Sequence, residues 1–350
     1  MHENPPADRQ AYYARIDQAH MTPLWEVLHA LVPREPKSAA LPHLWRYADI
    51  RPAILESGSL IGAKEAVRRV LILENPGLRG QSKITNSLYA GLQLILPGEV
   101  APAHRHTQSA LRFVIEGSGA FTAVDGERTT MRPGDFVITP SWTWHDHGND
   151  STEPMVWMDG LDIPLVSFFE AGFAENYESD VQPLARPEGD ALARYGAGLL
   201  PLGHAPQSRT SPIFNYPYAR TREALEKLAR AGDPDPWHGI AMRYVNPADG
   251  GWTMPTIGTW MQFLPKGFAG APYRATDGTV FSCVEGHGKT HVFAPGGKLT
   301  TFEWGPRDTF VVPSWQWRRH EAAEDAVLFA YSDRPVQEKL GLWREARGNA

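Results

Sequence analysis

Short apolar runs separated by turn residues dominate the chain from about residue 68 to residue 165. Val70-Leu71-Ile72-Leu73 and Leu92-Gln93-Leu94-Ile95-Leu96 are β-type runs, bounded by Asn75-Pro76-Gly77 and Pro97-Gly98. Similar signals recur about every ten residues as far as Leu165, with turns at Asp125-Gly126 and Pro133-Gly134. That spacing predicts an antiparallel sandwich or barrel rather than alternating βαβ units. Before it, Leu24, Val27, Leu28 and Leu31 recur at helical spacing within residues 8–32, so one or two amphipathic helices are expected, interrupted near Pro23. Residues 170–235 are less regular and contain one clear helix, Thr221–Ala231, with Leu225, Leu228 and Ala229 on one face. Strand signals return from Ile240 to Tyr331, and the last residues look helical.

The second β region echoes the first. Leu96-Pro97-Gly98 corresponds to Leu264-Pro265-Lys266, and Val114–Gly119 to Cys283–Gly288. Pro133-Gly134-Asp135 matches Pro306-Arg307-Asp308, and Pro140–His145 (PSWTWH) matches Pro313–Arg318 (PSWQWR). The offset drifts only from 168 to 173 residues across these landmarks. Such order implies an internal duplication of one β unit. The expected organisation is an N-terminal helical extension (1–67), a first β unit (68–170), a linker with a helix (171–235), a second β unit (236–335) and a C-terminal helix or tail (336–350). The fold class is mainly β.

Composition narrows the function classes. The 350 residues carry a formal charge of −6, which argues against nucleic acid or an anionic membrane as a partner. A single cysteine, Cys283, excludes an intrachain disulfide. The polar start, MHENPPADRQ, has no apolar signal core, and no apolar run approaches the roughly 20 residues needed to span a bilayer. A soluble cytoplasmic protein is expected.

The candidate chemistry lies in the first β unit. On a strand, His104 and His106 point to the same face, and His145 follows a tight turn and a further strand. Three such imidazoles can cap one face of an Fe, Zn, Cu or Ni ion and leave the other face open to substrate. An HxH pair alone is more often a pair of ordinary surface or core histidines than a ligand pair. The second unit cannot repeat the set. It carries Pro272 or Tyr273 and Arg274 or Ala275, depending on a one-residue slip, and Arg318 in place of His145. His320 there reads as a structural or surface residue. Near the histidines stand Gln93, Arg112, Asp146, His147 and Asp159, with Arg68 and Arg69 upstream. Arg112 is six residues after His106, which on one continuous strand would give both the same face. An inward arginine needs an anionic partner: Asp159, Glu116 or the carboxylate of a substrate.

The spacing from Gly98 through His104 and His106 to Gly117 resembles the first cupin motif, and that from Gly134 through Pro140 and His145 to Asn149 the second. Two positions depart: Ala110 replaces the motif's glutamate ligand, and Trp142 replaces a glycine. The run APAHRHTQSALRFVIEGSGAFTAVDGERTTMRPGDFVITPSWTWHDHGN, then WMDGLDIP, SPIFNYPY and HGIAMRYVNPADGGWTMPTIGTWMQFLPKG, resembles the gentisate 1,2-dioxygenase family. The resemblance covers roughly residues 20–345 and implies a bicupin fold, two jelly-roll-type β-barrels with helices before and between them. It implies Fe(II) held by His104, His106 and His145, an aromatic 2-hydroxy acid substrate, O2, and a homotetramer. It further implies conversion of gentisate to maleylpyruvate in aromatic catabolism. Residues lining the pocket in the related salicylate and 1-hydroxy-2-naphthoate dioxygenases fall on Arg68, Gln93, Arg112, His147 and Asp159. Lys64 and Tyr89 stand where the salicylate enzyme has an arginine and a tryptophan, which favours gentisate. Arg112 and Arg68 are then expected to fix the substrate carboxylate. His147, hydrogen-bonded toward Asp146 or Asp159, is the candidate proton shuttle.

Overall fold

The structure, a computed structural model, describes residues 7–203, 208–294 and 297–348. Residues 1–37 form one compact unit and residues 38–350 a second. The first holds the two expected helices, α1 (Ala7–Asp17) and α2 (Leu24–Leu31), on either side of Pro23. Within it Trp25 Nε1 donates to Tyr13 Oη at 2.8 Å, and that hydroxyl donates to Glu26.

The second unit is two copies of one eleven-strand pattern. The first copy runs β1 (His43–Trp45), β2 (Val70–Ile72), β3 (Tyr89–Ile95), β4 (Val100–His106), β5 (Ala110–Glu116) and β6 (Ala120–Val124). It continues with β7 (Glu127–Thr130), β8 (Phe136–Thr139), β9 (His145–Asn149), β10 (Met155–Leu161) and β11 (Ala174–Asn176). The second copy runs β12 (Asn215–Tyr216), β13 (Ile240–Arg243), β14 (Gly258–Leu264), β15 (Tyr273–Ala275), β16 (Thr279–Glu285) and β17 (Gly288–Phe293). It ends with β18 (Leu299–Trp304), β19 (Thr309–Val312), β20 (Trp317–Ala322), β21 (Ala326–Ser332) and β22 (Glu345–Arg347). The six-stranded sheets have the orders β12-β8-β5-β10-β3-β2 and β1-β19-β16-β21-β14-β13, and the five-stranded ones β11-β4-β9-β6-β7 and β22-β15-β20-β17-β18. Every strand of the first copy thus has a counterpart eleven places later. The duplication read from four landmarks extends over residues 43–176 and 215–347. Each copy is an open pair of antiparallel sheets.

The edge strands are exchanged. β1 pairs with β19 of the second copy, and β12 pairs with β8 of the first. The following helices, α3 (Tyr47–Leu60) and α5 (Tyr218–Ala231), repeat the exchange. Tyr47 N donates to Asp308 and Tyr218 N to Asp135, at 2.8 and 2.9 Å, while their hydroxyls donate to Glu116 and Glu285. Each helix start is therefore tied to the Asp turn of one copy and the Glu of the other. The helix α4 (Ile163–Phe168) recurs as α6 (Arg334–Lys339). The chain's tail leaves that helix and forms strand β22 against β15, where a helix or tail was expected. Three residues on a sheet edge leave too short an alternation to read from sequence.

Alternation along β5 explains how the core sits. Leu111, Phe113 and Ile115 face a core common to both copies, in which the rings of Phe113 and Phe329 stack at 4.1 Å. Val114, on the opposite face, packs inside the first copy with Val137, Met155 and Trp157. A residue directed between the two sheets of one copy therefore belongs to a separate interior.

Candidate metal centre

That interior of the first copy holds the predicted histidines. His104 and His106 lie on β4 with Arg105 between them, and His145 opens β9 directly opposite His104. The three ring centres are 4.5, 4.8 and 5.2 Å apart. One ligand atom from each lies within 4.8 Å of the others. His106 Nδ1 is 2.9 Å from the Gln108 carbonyl and His145 Nδ1 is 2.9 Å from the Thr143 carbonyl. A carbonyl only accepts, so in both rings Nδ1 carries the proton and Nε2 is left with its lone pair, the tautomer a metal ligand requires. Burial, reinforced by nearby arginines, pushes His104 down to about 2 and His106 to about 4, and His145 well below its ordinary range. All three are neutral donors near pH 7. The donor set fits a divalent transition metal with an open face. Ala110, at the motif's glutamate position, is buried on β5 and offers no fourth ligand.

The WxW frame fixes the ligand strand. The guanidinium of Arg105 lies between Trp142 and Trp144, 4.6 and 4.5 Å from their ring centres, and pairs with Glu175 at 2.6 Å. Trp142 N also donates to the His106 carbonyl at 2.7 Å. Trp142 has φ +61°, a left-handed conformation that explains why the motif has glycine there. The second copy keeps the device. Trp315 has φ +61°, and Trp315 and Trp317 flank Arg274 at 4.2 and 4.7 Å. This resolves the one-residue slip: Arg274 corresponds to Arg105, Tyr273 to His104 and Ala275 to His106. The sequence showed the repeated tryptophans but not their arginine, since the partners are about forty residues apart.

Arg112 reaches the site by another route than the one expected. The chain bends after His106, so Arg112 is on β5 of the six-stranded sheet, facing the histidine strands across the interior. Its Nη1 donates to Thr139 Oγ1 at 2.5 Å and its Nη2 to His147 Nε2 at 3.0 Å. Asp159 Oδ1 stands 3.6 Å from Arg112 Nε, whereas Glu116 pairs with Arg51 and Arg307 outside the site. Burial pushes Asp159 up to about 6 against the pull of Arg112. A guanidinium only donates, so His147 Nε2 accepts and its proton is on Nδ1, which has no partner. His147 is thus bonded to Arg112, not to Asp146 or Asp159. Asp146 instead accepts from Gln182 N at 3.1 Å, and Asp159 from Trp157 Nε1 at 3.0 Å.

Arg68 follows Val67, whose φ of +58° is strained for a β-branched residue. Its Nη1 donates to the Val67 and Pro102 carbonyls at 2.8 and 3.0 Å, and its buried Nη2 has no partner. Burial and the charge of Arg112 push Arg68 down to about 9. Gln93 and Tyr89 are buried on β3. Between them Gly91 leaves room for the Tyr89 ring: a Cβ there would stand 2.8 Å from the tyrosine oxygen. Lys64 pairs with Asp180 at 2.9 Å on the surface. In the second copy the corresponding interior keeps Gln262 at the place of Gln93 and a histidine, His320, at the place of His147, but loses the other groups. Phe281 replaces Arg112 and Ala330 replaces Asp159, while His320 is buried and bonded to Thr290 at 2.8 Å.

Residues 91–163 match the cupin domain family. Over 97% of its length the chain is 59% identical to gentisate 1,2 dioxygenase 1 of Aquipseudomonas alcaligenes, covering 96% of that protein. It is 36% identical to 5-aminosalicylate 1,2-dioxygenase of Comamonas sp, over 97% of this chain and 90% of that one. Its structure superposes on salicylate 1,2-dioxygenase of Pseudoaminobacter salicylatoxidans bound to gentisate with a TM-score of 0.92, at 35% identity, covering 100% of this chain and 96% of the other. The doubled sheet pair, the three-histidine centre in the first copy and these likenesses agree: the chain belongs to the gentisate 1,2-dioxygenase family of bicupin ring-cleaving dioxygenases.

Proposed function

We propose that the protein is an Fe(II)-dependent dioxygenase that opens the ring of gentisate with O2 to give maleylpyruvate. The observation that carries this reading is the convergence of three neutral imidazoles beside two inward arginines. His104, His106 and His145 would hold the iron. Bound there, Fe(II) would supply a Lewis-acidic, redox-active centre with room for a chelating hydroxy acid and O2.

The chain's own residues would do the rest. Arg68, with one terminal nitrogen unpartnered, and Arg112 would fix the substrate carboxylate and orient the ring carbon that bears it. Thr139 and His147 hold the Arg112 fork in place before substrate arrives. Gln93 and Tyr89 would form the wall against the ring, and the buried aromatic and aliphatic surroundings exclude water. His147 Nδ1–H would donate to a substrate hydroxyl, and Asp159, ordinarily ionised but pushed up to about 6, would take a proton near neutral pH. The same reading includes a homotetramer working in the cytoplasm. Exposed Phe168, Phe169 and Phe173 support assembly, and among the described residues no helix is long and apolar enough to cross a membrane.

The test is oxygen uptake after anaerobic loading with Fe(II), with gentisate, salicylate and 1-hydroxy-2-naphthoate supplied in turn. Gentisate is expected to give the fastest uptake, with His104→Ala losing both metal and turnover. Full activity of that variant, or no uptake with any of the three acids, would overturn the assignment.

A further inference from the structure

The second copy, which lacks the histidines, still keeps an interior space. A cavity of about 270 Å3 opens there, lined by His238, Trp252, Trp260, Tyr273, Arg318 and Arg334, with Asp277 and Arg243 at its wall. Tyr273 stands at the place of His104 and directly opposite Arg318, which stands at the place of His145. Where the first copy offers three neutral ligands, the second offers a fixed cation.

Arg318 is only 6% exposed. Its guanidinium lies 4.9 and 5.2 Å from the ring centres of Tyr273 and Phe281, and among the described residues no carboxylate is within ion-pair distance of it. The one carboxylate on the cavity wall, Asp277, attracts Arg318 across the space without pairing with it, and its Oδ1 accepts from Trp343 Nε1 at 3.0 Å. Arg334 donates to Glu338 at 2.7 Å, and its guanidinium also lies 3.8 Å from the Trp343 ring centre. Burial pushes the proton off His238, whose ring packs 4.5 Å from Tyr273. The balance around the space is therefore positive and centred on Arg318. A buried guanidinium with ring partners but no counter-ion costs several kcal/mol unless an anion joins it. The duplication did not require that cost, because Phe281, at the place of Arg112, shows that this interior accepts apolar residues.

We propose that the second copy is a binding site for a small aromatic carboxylate, its carboxylate on the Arg318 fork and its ring between Trp260 and Tyr273. The planar fork matches a carboxylate bidentately, and aromatic walls match a ring. The volume lies just below the roughly 300–1,000 Å3 of drug-sized sites, so one ring with its carboxylate is the size that fits. This site stands apart from the metal centre and needs no metal.

The experiment is a 19F NMR titration of the iron-loaded enzyme with 4-fluorobenzoate under nitrogen. Two bound resonances are expected, one for each copy. Arg318→Met should remove one of them and leave gentisate-dependent oxygen uptake intact, and Arg318→Lys should weaken that site at least tenfold. No bound resonance in the unmodified enzyme, or a single one that survives Arg318→Met, overturns the proposal. So does a second resonance that survives Arg318→Met. Displacement of the second-site probe by phosphate or chloride as readily as by benzoate would make this an inorganic-anion site and overturn the ligand class.

Discussion

Arg105→Met separates the metal site from the frame that holds it. Methionine keeps the apolar stem of the side chain but loses the guanidinium and its charge between Trp142 and Trp144. Each partly exposed cation–π contact contributes about 0.5–1 kcal/mol. The half-exposed pair with Glu175 adds about 0.2–1 kcal/mol. The total is about 1–3 kcal/mol, concentrated on the strand that carries two of the three ligands. If the ordering of that strand is coupled to metal binding, the loss appears as about a ten- to hundredfold weaker affinity, at 1.4 kcal/mol per tenfold. The assay is competition for Fe(II) against a chelator under nitrogen, with turnover expressed per bound metal, which should stay near the unmodified value. Arg274→Met is the internal control, because Arg274 sits in the same frame of the second copy. It should lower thermal stability by a similar amount and leave metal affinity alone. Unchanged metal affinity in Arg105→Met, or an equal loss in Arg274→Met, refutes the reasoning.

Other consequences are open to direct measurement. Arg112→Lys cannot hold Thr139 and His147 together as the planar fork does, so the KM for gentisate should rise about ten- to hundredfold, with intact metal content by elemental analysis. Glu116 serves Tyr47, Arg51 and Arg307, whereas Glu285 serves Tyr218 and Arg222; Glu116→Gln should cost about 1–3 kcal/mol in urea unfolding and Glu285→Gln less. Burial pushes Asp162 up to about 6, above its unfolded value, although it accepts from Ser109 N and Thr256 Oγ1. It therefore supports the folded state fully below about pH 4 and withdraws that support as pH rises through about 6, a swing of up to about 3 kcal/mol. Asp162→Asn should flatten this component of the stability profile between pH 4 and 7; an unchanged pH slope would contradict it.

The parts of the site that obey a local period were legible in the sequence. His104 and His106 share a face because β4 runs unbroken through both, and the repeat of PSWTWH as PSWQWR singled out His145. The same period misled for Arg112. Residues 107–109 turn the chain, so the arginine enters from the opposite sheet by the alternation of its own strand. The partner of His147 was not legible either, since only the facing of two sheets brings Arg112 to its Nε2. Helix α5 begins three residues earlier than expected, at Tyr218, because Asp135 of the other copy accepts from its first backbone N–H. The exchanged strands β1 and β12 are two or three residues long and carry no alternation of their own. Their placement is a property of the pair of copies, visible only once both are folded.

The central claim is that one iron centre per chain, in the first copy, cleaves the gentisate ring with both atoms of O2. Mass spectrometry of the product formed under 18O2, on protein of known iron content, tests it most directly. The account predicts a ring-opened acid carrying two labelled oxygens, at one iron per chain, with none formed by His145→Arg. A product with one labelled oxygen or none, or an active His145→Arg variant, would contradict it.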